Sequence, residues 1–221
     1  MCYGYGNKVT VESIIDKNER LMLYNIIYIG VSAYKRLLKD NKELVNSASF
    51  KEIQTRLLNF VVKRQFEDDV LSLDFPYKVD FEEVNSFGNI ALFLKNNKSK
   101  IQIQKTSKIN KIYNSNKPAA YMLREAKVNS TYSREIKFFI DSDDEIGIKE
   151  DNRVFVVLGY GVKGREIDHI EFTIPNANLQ GFIDTFNAMD EYKKLTSEVI
   201  NDEMTEKKIV ALKEEALGVI K

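Results

Sequence analysis

The spacing of apolar residues changes part-way along this chain, and Pro76 stands at the change. Before Pro76, apolar side chains recur at intervals of three and four residues, which predicts helices over 10–40 and 49–66. After it, short stretches alternate between apolar and polar residues, which predicts strands. A proline lacks the backbone N–H and its ring clashes with the preceding turn, so no helix continues through this position. We therefore expect helices first and a sheet afterwards.

The remaining elements complete an α+β order. Strands are predicted over 78–84, 89–95, 99–105, 134–140, 153–158 and 166–174. Further helices are predicted over 119–127, 178–192 and 195–220. The expected fold has N-terminal helices, a central, mostly antiparallel sheet of about five or six strands, and C-terminal helices. We expect one domain over 1–194, with 195–221 as an amphipathic helix packed on it or at an interface.

Local signals refine these elements. Thr10 is a suitable N-cap, and Gly30 is expected to break or bend the first helix. Ser49 and Glu52 match a capping box at the start of the second helix, because a Ser at the N-cap and a Glu three residues later can bond each other's backbone.

A hairpin is predicted where 96–98 joins two strands. The clean alternation over 99–105 predicts one solvent-exposed face bearing Lys100, Gln102 and Gln104.

Composition excludes several classes of protein. Cys2 is the only cysteine and His169 the only histidine, which excludes a disulfide scaffold and zinc sites built from four cysteines or two histidines. No metal and no cofactor is expected. The start of the chain lacks a signal peptide, and its longest apolar run is too short to span a membrane, so we expect a cytoplasmic protein with no membrane partner. Lys plus Arg and Asp plus Glu each number 33, so there is no global field for a polyanion.

Three short motifs resemble functional sites, and for each we prefer a structural interpretation over a functional one. Gly159, Gly161 and Gly164 match G-x-G-x-x-G, but a strand rather than a helix is predicted to follow, which favours a hairpin turn. The acidic stretch 141–152 departs from a calcium loop at its glycine and at its last ligand. Asp168 and His169 are neighbours on a predicted strand and should face opposite sides, so no dyad is expected.

The order helix, three strands, helix, strand resembles the PD-(D/E)xK nuclease fold. That resemblance implies a carboxylate on one strand and an acid two residues before a lysine on the next, which together bind magnesium. Here Asp80, Glu82 or Glu83 offer the first carboxylate and Lys105 the lysine, but Ile103 stands where the second acid belongs. A divergent magnesium nuclease, or a degenerate relative that has lost the metal, is therefore an alternative.

The strongest functional signal is a basic segment over 95–127. It contains nine cations and one acid, Glu125, which gives a local charge of +8 in a neutral protein. The predicted binding residues are Lys95, Lys98, Lys100, Lys105, Lys108, Lys111, Tyr113, Lys117, Arg124 and Lys127. Clustered lysines with polar amides and tyrosines favour contact with a polyanion, so the leading hypothesis is a non-enzymatic protein that binds nucleic acid or an acidic protein surface.

The C-terminal helix supplies another alternative. Its apolar stripe comprises Leu195, Val199, Ile209, Leu212, Ala216 and Ile220. Such a stripe packs on its own domain or on a partner helix, which would make the chain an interaction or inhibitor protein, or a homodimer.

Several segments together suggest an origin. The stretches 56–69, 75–76, 85–88, 153–159 and 174–176 resemble bacterial and phage proteins of unassigned function from low-GC genomes. The resemblance implies an accessory protein of a phage or mobile element and assigns no functional residue.

Overall fold

The computed structural model describes residues 9–86, 88–106, 118–132 and 153–199. Its helices are α1 (Val11–Ile14), α2 (Lys17–Asp40), α3 (Lys42–Asn46), α4 (Phe50–Arg64), α5 (Ala120–Ala126), a 3-10 helix (Lys127–Thr131) and α6 (Met189–Val199). Its strands are β1 (Lys78–Glu83), β2 (Ile90–Lys95), β3 (Ser99–Lys105), β4 (Val154–Lys163), β5 (Glu166–Pro175) and β6 (Phe182–Asn187). The described residues form two compact units, one within 9–15, 80–159 and 171–186, and the other within 16–79, 160–170 and 187–199.

The strands form one mostly antiparallel sheet in the order β1-β2-β3-β4-β5-β6. In the β2–β3 hairpin, Phe93 pairs with Gln102 and Lys95 with Lys100. The backbone N–H of Val154 donates to the carbonyl of Lys98 at 2.9 Å, so β3 and β4 begin at the same end of the sheet. The predicted α+β class is confirmed, as are the strands at β1 to β5 and the helix at α5. The predicted strand over 134–140 and the C-terminal helix beyond 199 lie outside the described residues.

Helix α2 begins at a capping box that the sequence analysis missed. Asp16 Oδ1 accepts from the backbone N–H of Glu19 at 2.9 Å, and Glu19 Oε2 accepts from the N–H of Asp16 at 3.0 Å. The predicted cap at Thr10 is confirmed, but it starts the short helix α1. The box predicted at Ser49 is wrong, because Ser49 itself has helical backbone angles and makes no side-chain cap bond.

Gly30 does not break α2, because the helix continues through it to Asp40. The glycine is instead needed for packing against α4. A Cβ at position 30 would lie 2.8 Å from Cα of Val62 and 3.1 Å from its Cγ2. Since a backbone atom cannot move aside cheaply, the close approach of these two helices depends on the missing side chain.

We predict that Gly30→Ala destabilises the protein by about 1–3 kcal/mol, because the added methyl overpacks the α2–α4 contact. In an unobstructed helix the same change would stabilise the protein by about 1 kcal/mol, because alanine loses less backbone entropy on folding than glycine. The sign of the change in the free energy of unfolding therefore shows whether the site is tightly packed. Urea unfolding followed by circular dichroism measures the effect, and Ser32→Ala on the same helix is the control. A stabilised Gly30→Ala protein would contradict the packing described.

The helix predicted over 178–192 is wrong for most of its length, because β6 occupies residues 182–187 and the helix α6 begins only at Met189. This stretch pairs at the sheet edge, where Thr185 Oγ1 donates to the carbonyl of Phe172 at 3.3 Å. Asp184 also accepts a bond of 2.8 Å from the backbone N–H of Val11. Tertiary pairing therefore overrides the local pattern, as β-branched and aromatic residues such as those of β6 allow.

The glycine motif lies in a hairpin, as predicted, and no helix follows it. Gly164 and Arg165 form the turn between β4 and β5 with φ of +58° and +73°. Gly159 and Gly161 lie within β4 rather than in the turn. A Cβ at Gly161 would lie 2.0 Å from Cε1 of His169, so the imidazole occupies the space that the glycine leaves.

Candidate nucleic-acid interface

The β2–β3 turn is held by one side chain. Asn96 Oδ1 accepts from the backbone N–H groups of Lys98 at 2.9 Å and Ser99 at 2.8 Å. A short side chain that satisfies its own turn's donors in this way is typical of asparagine. The turn leaves Lys98 exposed to solvent.

Lys95 and Lys100, which pair across the hairpin, lie on the same face of the sheet as the carboxylates of β1. Lys95 Nζ is 2.6 Å from Asp80 Oδ2 and 2.6 Å from Glu82 Oε1. Asp80 and Glu82 are two residues apart on β1, so both point to this face. The lysine thus bridges both acids.

Lys100 extends the network towards α5. Its Nζ is 2.7 Å from Glu125 Oε2, 3.2 Å from Glu82 Oε1 and 4.2 Å from the centre of the Phe93 ring. Two lysines and three carboxylates therefore form one connected ion-pair network, which we call the lysine–carboxylate network: Asp80, Glu82, Lys95, Lys100 and Glu125.

The ion pairs of the lysine–carboxylate network shift the pKa values of Glu82 and Lys95. Burial alone would raise the pKa of Glu82, but the hydrogen bond from Lys95 and the charge of Lys100 outweigh it and lower that pKa below its ordinary value. Burial would lower the pKa of Lys95, but the bonds to Asp80 and Glu82 raise it instead. Both shifts favour the charged forms, so Glu82 and Lys95 are both ionised at neutral pH.

The prediction of a solvent-exposed face on β3 is wrong. Lys100 is 9% exposed and Gln102 only 3% exposed. Helix α5 supplies their polar partners, because Gln102 Nε2 donates to the Tyr121 hydroxyl at 2.9 Å and Lys100 donates to Glu125. Apolar side chains of α5 also join the core on this face, among them Met122 with Phe93. Alternation on a strand shows which residues share a face but not what covers it.

We predict that Lys95→Met destabilises the protein by about 1–2 kcal/mol at pH 7, because it leaves Asp80 and Glu82 facing each other in a half-buried place. The loss should shrink as the pH falls below 4.5, the ordinary pKa of Glu82, towards its lowered folded pKa. A lowered folded pKa contributes stability above the unfolded value and loses it as protons bind. Urea unfolding at several pH values measures this.

Lys78→Met is the control for that series, because Lys78 is exposed on the same strand, β1. It should change stability by less than about 0.5 kcal/mol at every pH. A Lys95→Met effect that stays constant between pH 7 and pH 3 would contradict the ion-pair explanation.

The structure divides the predicted binding residues into three groups. Lys95 and Lys100 are neutralised in the lysine–carboxylate network. Lys98, Arg124 and Lys127 are exposed. Lys105 is half-buried at the far end of β3, about 23 Å from Lys98 at the usual rise per strand residue, and burial lowers its pKa. The remaining predicted residues, Lys108, Lys111, Tyr113 and Lys117, lie outside the described residues.

Lys98 and Lys127 lie at the same end of the sheet. The carbonyl of Lys98 accepts from Val154, and the next residue, Phe155, is held to Asn129 by two bonds of 2.9 Å between backbone and carboxamide. Asn129 is fully buried and follows Lys127 by two residues. These links bring the 3-10 helix beside the start of β3 and β4.

Arg124 completes this end. It lies three residues before Lys127, a spacing that places side chains near each other on a helix. Its side chain is 65% exposed, and its guanidinium lies 3.4 Å from one oxygen of Glu125, whose other oxygen holds Lys100. We call Lys98, Arg124 and Lys127 the turn-end cations.

The positions of Lys105 and Glu83 do not match the residues that the nuclease alternative requires beside Asp80 and Glu82. Lys105 lies five residues along β3 from Lys100, so it is not beside the carboxylates; Lys95 and Lys100 are. Glu83 is exposed and does not share the face of Glu82. Within the part of the chain that the structure describes, no group of three or more His, Cys, Asp or Glu side chains could hold a metal ion.

Asp168 and His169 do approach each other, which corrects the expectation from strand geometry. Their Oδ1 and Nδ1 atoms are 3.2 Å apart, because the imidazole folds over Gly161 rather than standing straight out from the strand. The acidic stretch 141–152 lies outside the described residues.

Comparisons of the chain with protein-family models, with curated proteins and with solved structures each returned no match. The resemblances to PD-(D/E)xK nucleases and to bacterial and phage proteins therefore stay predictions. None of the helices in residues 9–86, 88–106, 118–132 and 153–199 combines the length and apolar character that a membrane crossing requires.

Proposed function

We propose that this chain is a non-enzymatic binding protein that contacts the phosphate backbone of nucleic acid through the turn-end cations. The observation that carries the proposal is the arrangement of three exposed cations: Lys98 in the β2–β3 turn, Arg124 in α5 and Lys127 in the 3-10 helix. Hydrogen bonds through the start of β4 hold the turn and the 3-10 helix at one end of the sheet. Exposed cations beside one another match the regular negative charges of a phosphate backbone.

The same residues favour phosphate contacts over the reading of bases. Lysine acts as a point charge, and Arg124 is the only guanidinium of the three. Tyr121, which could stack on a base, uses its hydroxyl to accept from Gln102 and is half-buried beside the apolar core. We therefore expect binding to duplexes of any sequence.

The lysine–carboxylate network limits the strength of binding. Lys95 and Lys100 are neutralised by Asp80, Glu82 and Glu125, so the local charge that the sequence suggests is not all available to a partner. Two or three phosphate contacts remain from the described residues, and each would contribute about −0.9 to the slope of log affinity against log salt. The expected slope on duplex DNA is about −2 to −3, and each contact from Lys108, Lys111 or Lys117 would steepen it by about 0.9.

We predict that the double variant Lys98→Glu, Lys127→Glu weakens binding to a fluorescent duplex at least about tenfold at low salt and flattens the salt slope by about 2. Fluorescence anisotropy over a range of salt concentrations measures both quantities. The matched control is Lys51→Glu, Lys193→Glu, which reverses two exposed lysines on α4 and α6 and changes the net charge equally.

Equal losses in the two double variants would mean that net charge alone attracts the duplex, and would overturn the turn-end proposal. A flat salt response of the unmodified protein, or no binding at low salt, would overturn the nucleic-acid proposal altogether. Salt-dependent capture by an acidic protein but not by duplex DNA would favour the alternative partner.

A magnesium nuclease is the second candidate, because the element order from α4 to α5 and the Lys95 contact with two carboxylates both agree with it. Lys95 Nζ already occupies the space between Asp80 and Glu82, so a metal ion there would have to displace it. We expect supercoiled plasmid to stay intact with the protein and Mg²⁺. Nicking that Asp80→Asn abolishes would establish the nuclease instead.

The proposed interface at the C-terminal helix begins with Leu195 and Val199, which lie in α6, and its other stripe residues lie outside the described residues. Within its own unit, α6 is anchored on α2, because Arg20 makes two bonds of 3.0 and 2.7 Å to Glu191, and the Tyr24 hydroxyl donates to the same carboxylate at 3.0 Å. The hydrogen bond from Arg20 lowers the pKa of Glu191. This anchor supports packing of the first part of the helix on the chain itself.

A further inference from the structure

A small cavity lies within residues 16–79, in the unit that contains α2 and α4. None of its lining residues belongs to the lysine–carboxylate network or to the turn-end cations. It lies between α2, the end of α4 and the segment 70–75, and its volume is about 110 Å³. Met22, which is 42% exposed, stands at its edge, and Ile26 and Phe75 are among its walls.

Two residues that line this cavity, Asn25 and Gln65, each carry a buried carboxamide oxygen that accepts no hydrogen bond from the described residues. Gln65, just after α4, is only 2% exposed, and its Nε2 donates to the carbonyl of Val61 at 3.1 Å. That bond fixes which end of the amide is nitrogen, because a carbonyl cannot donate. Gln65 Oε1 is therefore a buried acceptor without a partner, and so is Asn25 Oδ1 from α2.

Unpaired buried acceptors are uncommon in folded proteins, and each is satisfied when a donor enters. Two acceptors on facing elements call for a group with two donor hydrogens. No charged side chain lines the cavity, so a cation would find no counter-charge there. Most of its other lining residues are apolar, and they favour a hydrocarbon body.

We infer that this cavity binds small uncharged molecules that carry an NH₂ group on a compact apolar body, such as arylamines and primary carboxamides. The NH₂ hydrogens donate to Gln65 Oε1 and Asn25 Oδ1, and the apolar body packs among Ile26, Phe75 and the Met22 side chain. The volume is below the roughly 150 Å³ of an engineered cavity that holds benzene. A ligand of about seven heavy atoms therefore extends to the edge of the cavity, where Met22 is 42% exposed.

The test compares aniline with toluene, which have the same shape but differ in the NH₂ group. Protein labelled with ¹³C at its methionine methyl groups is titrated with each compound at pH 7, where aniline is uncharged. The Met22 signal should move and saturate with aniline, while that of Met122, buried in the other unit's core, stays in place. Aniline should bind about tenfold more tightly than toluene, because two hydrogen bonds of ordinary strength are gained.

Gln65→Met keeps the side-chain volume and removes the oxygen, so it should reduce the affinity for aniline towards that for toluene. Asn25→Leu removes the other oxygen from a different helix and should do the same, which keeps the test sound if either variant folds poorly. Gln54→Met, an exposed position on α4 outside the cavity, should leave the preference unchanged. Equal affinities for aniline and toluene in the unmodified protein, or no movement of Met22 because the cavity holds only water, would overturn the inference.

Discussion

The pairing of Lys95 and Lys100 with three carboxylates decides both how β1, β2, β3 and α5 pack and how much charge the protein can offer a partner. A lysine in a mostly buried place must find an opposite charge, since the alternative is to give up its proton. Asp80 and Glu82 from β1 and Glu125 from α5 provide that charge. Because these acids come from two different elements, the ion pairs link the outer strand and the helix to the hairpin between them.

This network changes the meaning of the basic segment. A sum of charges over 95–127 suggests a broad positive surface, yet two of its lysines, Lys95 and Lys100, are already neutralised. Among the described residues, the turn-end cations remain available to a partner. Three cations can contact only a few phosphates, and they select no particular base sequence. This arrangement favours weak, salt-sensitive binding to nucleic acid over recognition of a specific base sequence.

Periodicity predicted the fold well where local pattern decides the structure. The strands β1 to β3 and the turn at Asn96 follow from the local sequence pattern, and the structure confirms them. Periodicity failed where a distant element decides. Gln102 alternates as a surface residue does, and only α5, some twenty residues later, buries it. The strand β6 depends in the same way on its neighbour β5. The partners of Lys95 could have been predicted only by noting that Asp80 and Glu82 share a face on the neighbouring strand.

The central claim is that the lysines of 95–127 divide into neutralised and available ones, and nuclear magnetic resonance of the lysine ammonium groups tests it most directly. Adding excess duplex DNA at low salt should shift the Nζ resonances of Lys98 and Lys127 and leave those of Lys95 and Lys100 in place. Shifts at Lys95 and Lys100 with Lys98 and Lys127 unmoved would contradict the account, because the carboxylates would then have released the lysines to the nucleic acid.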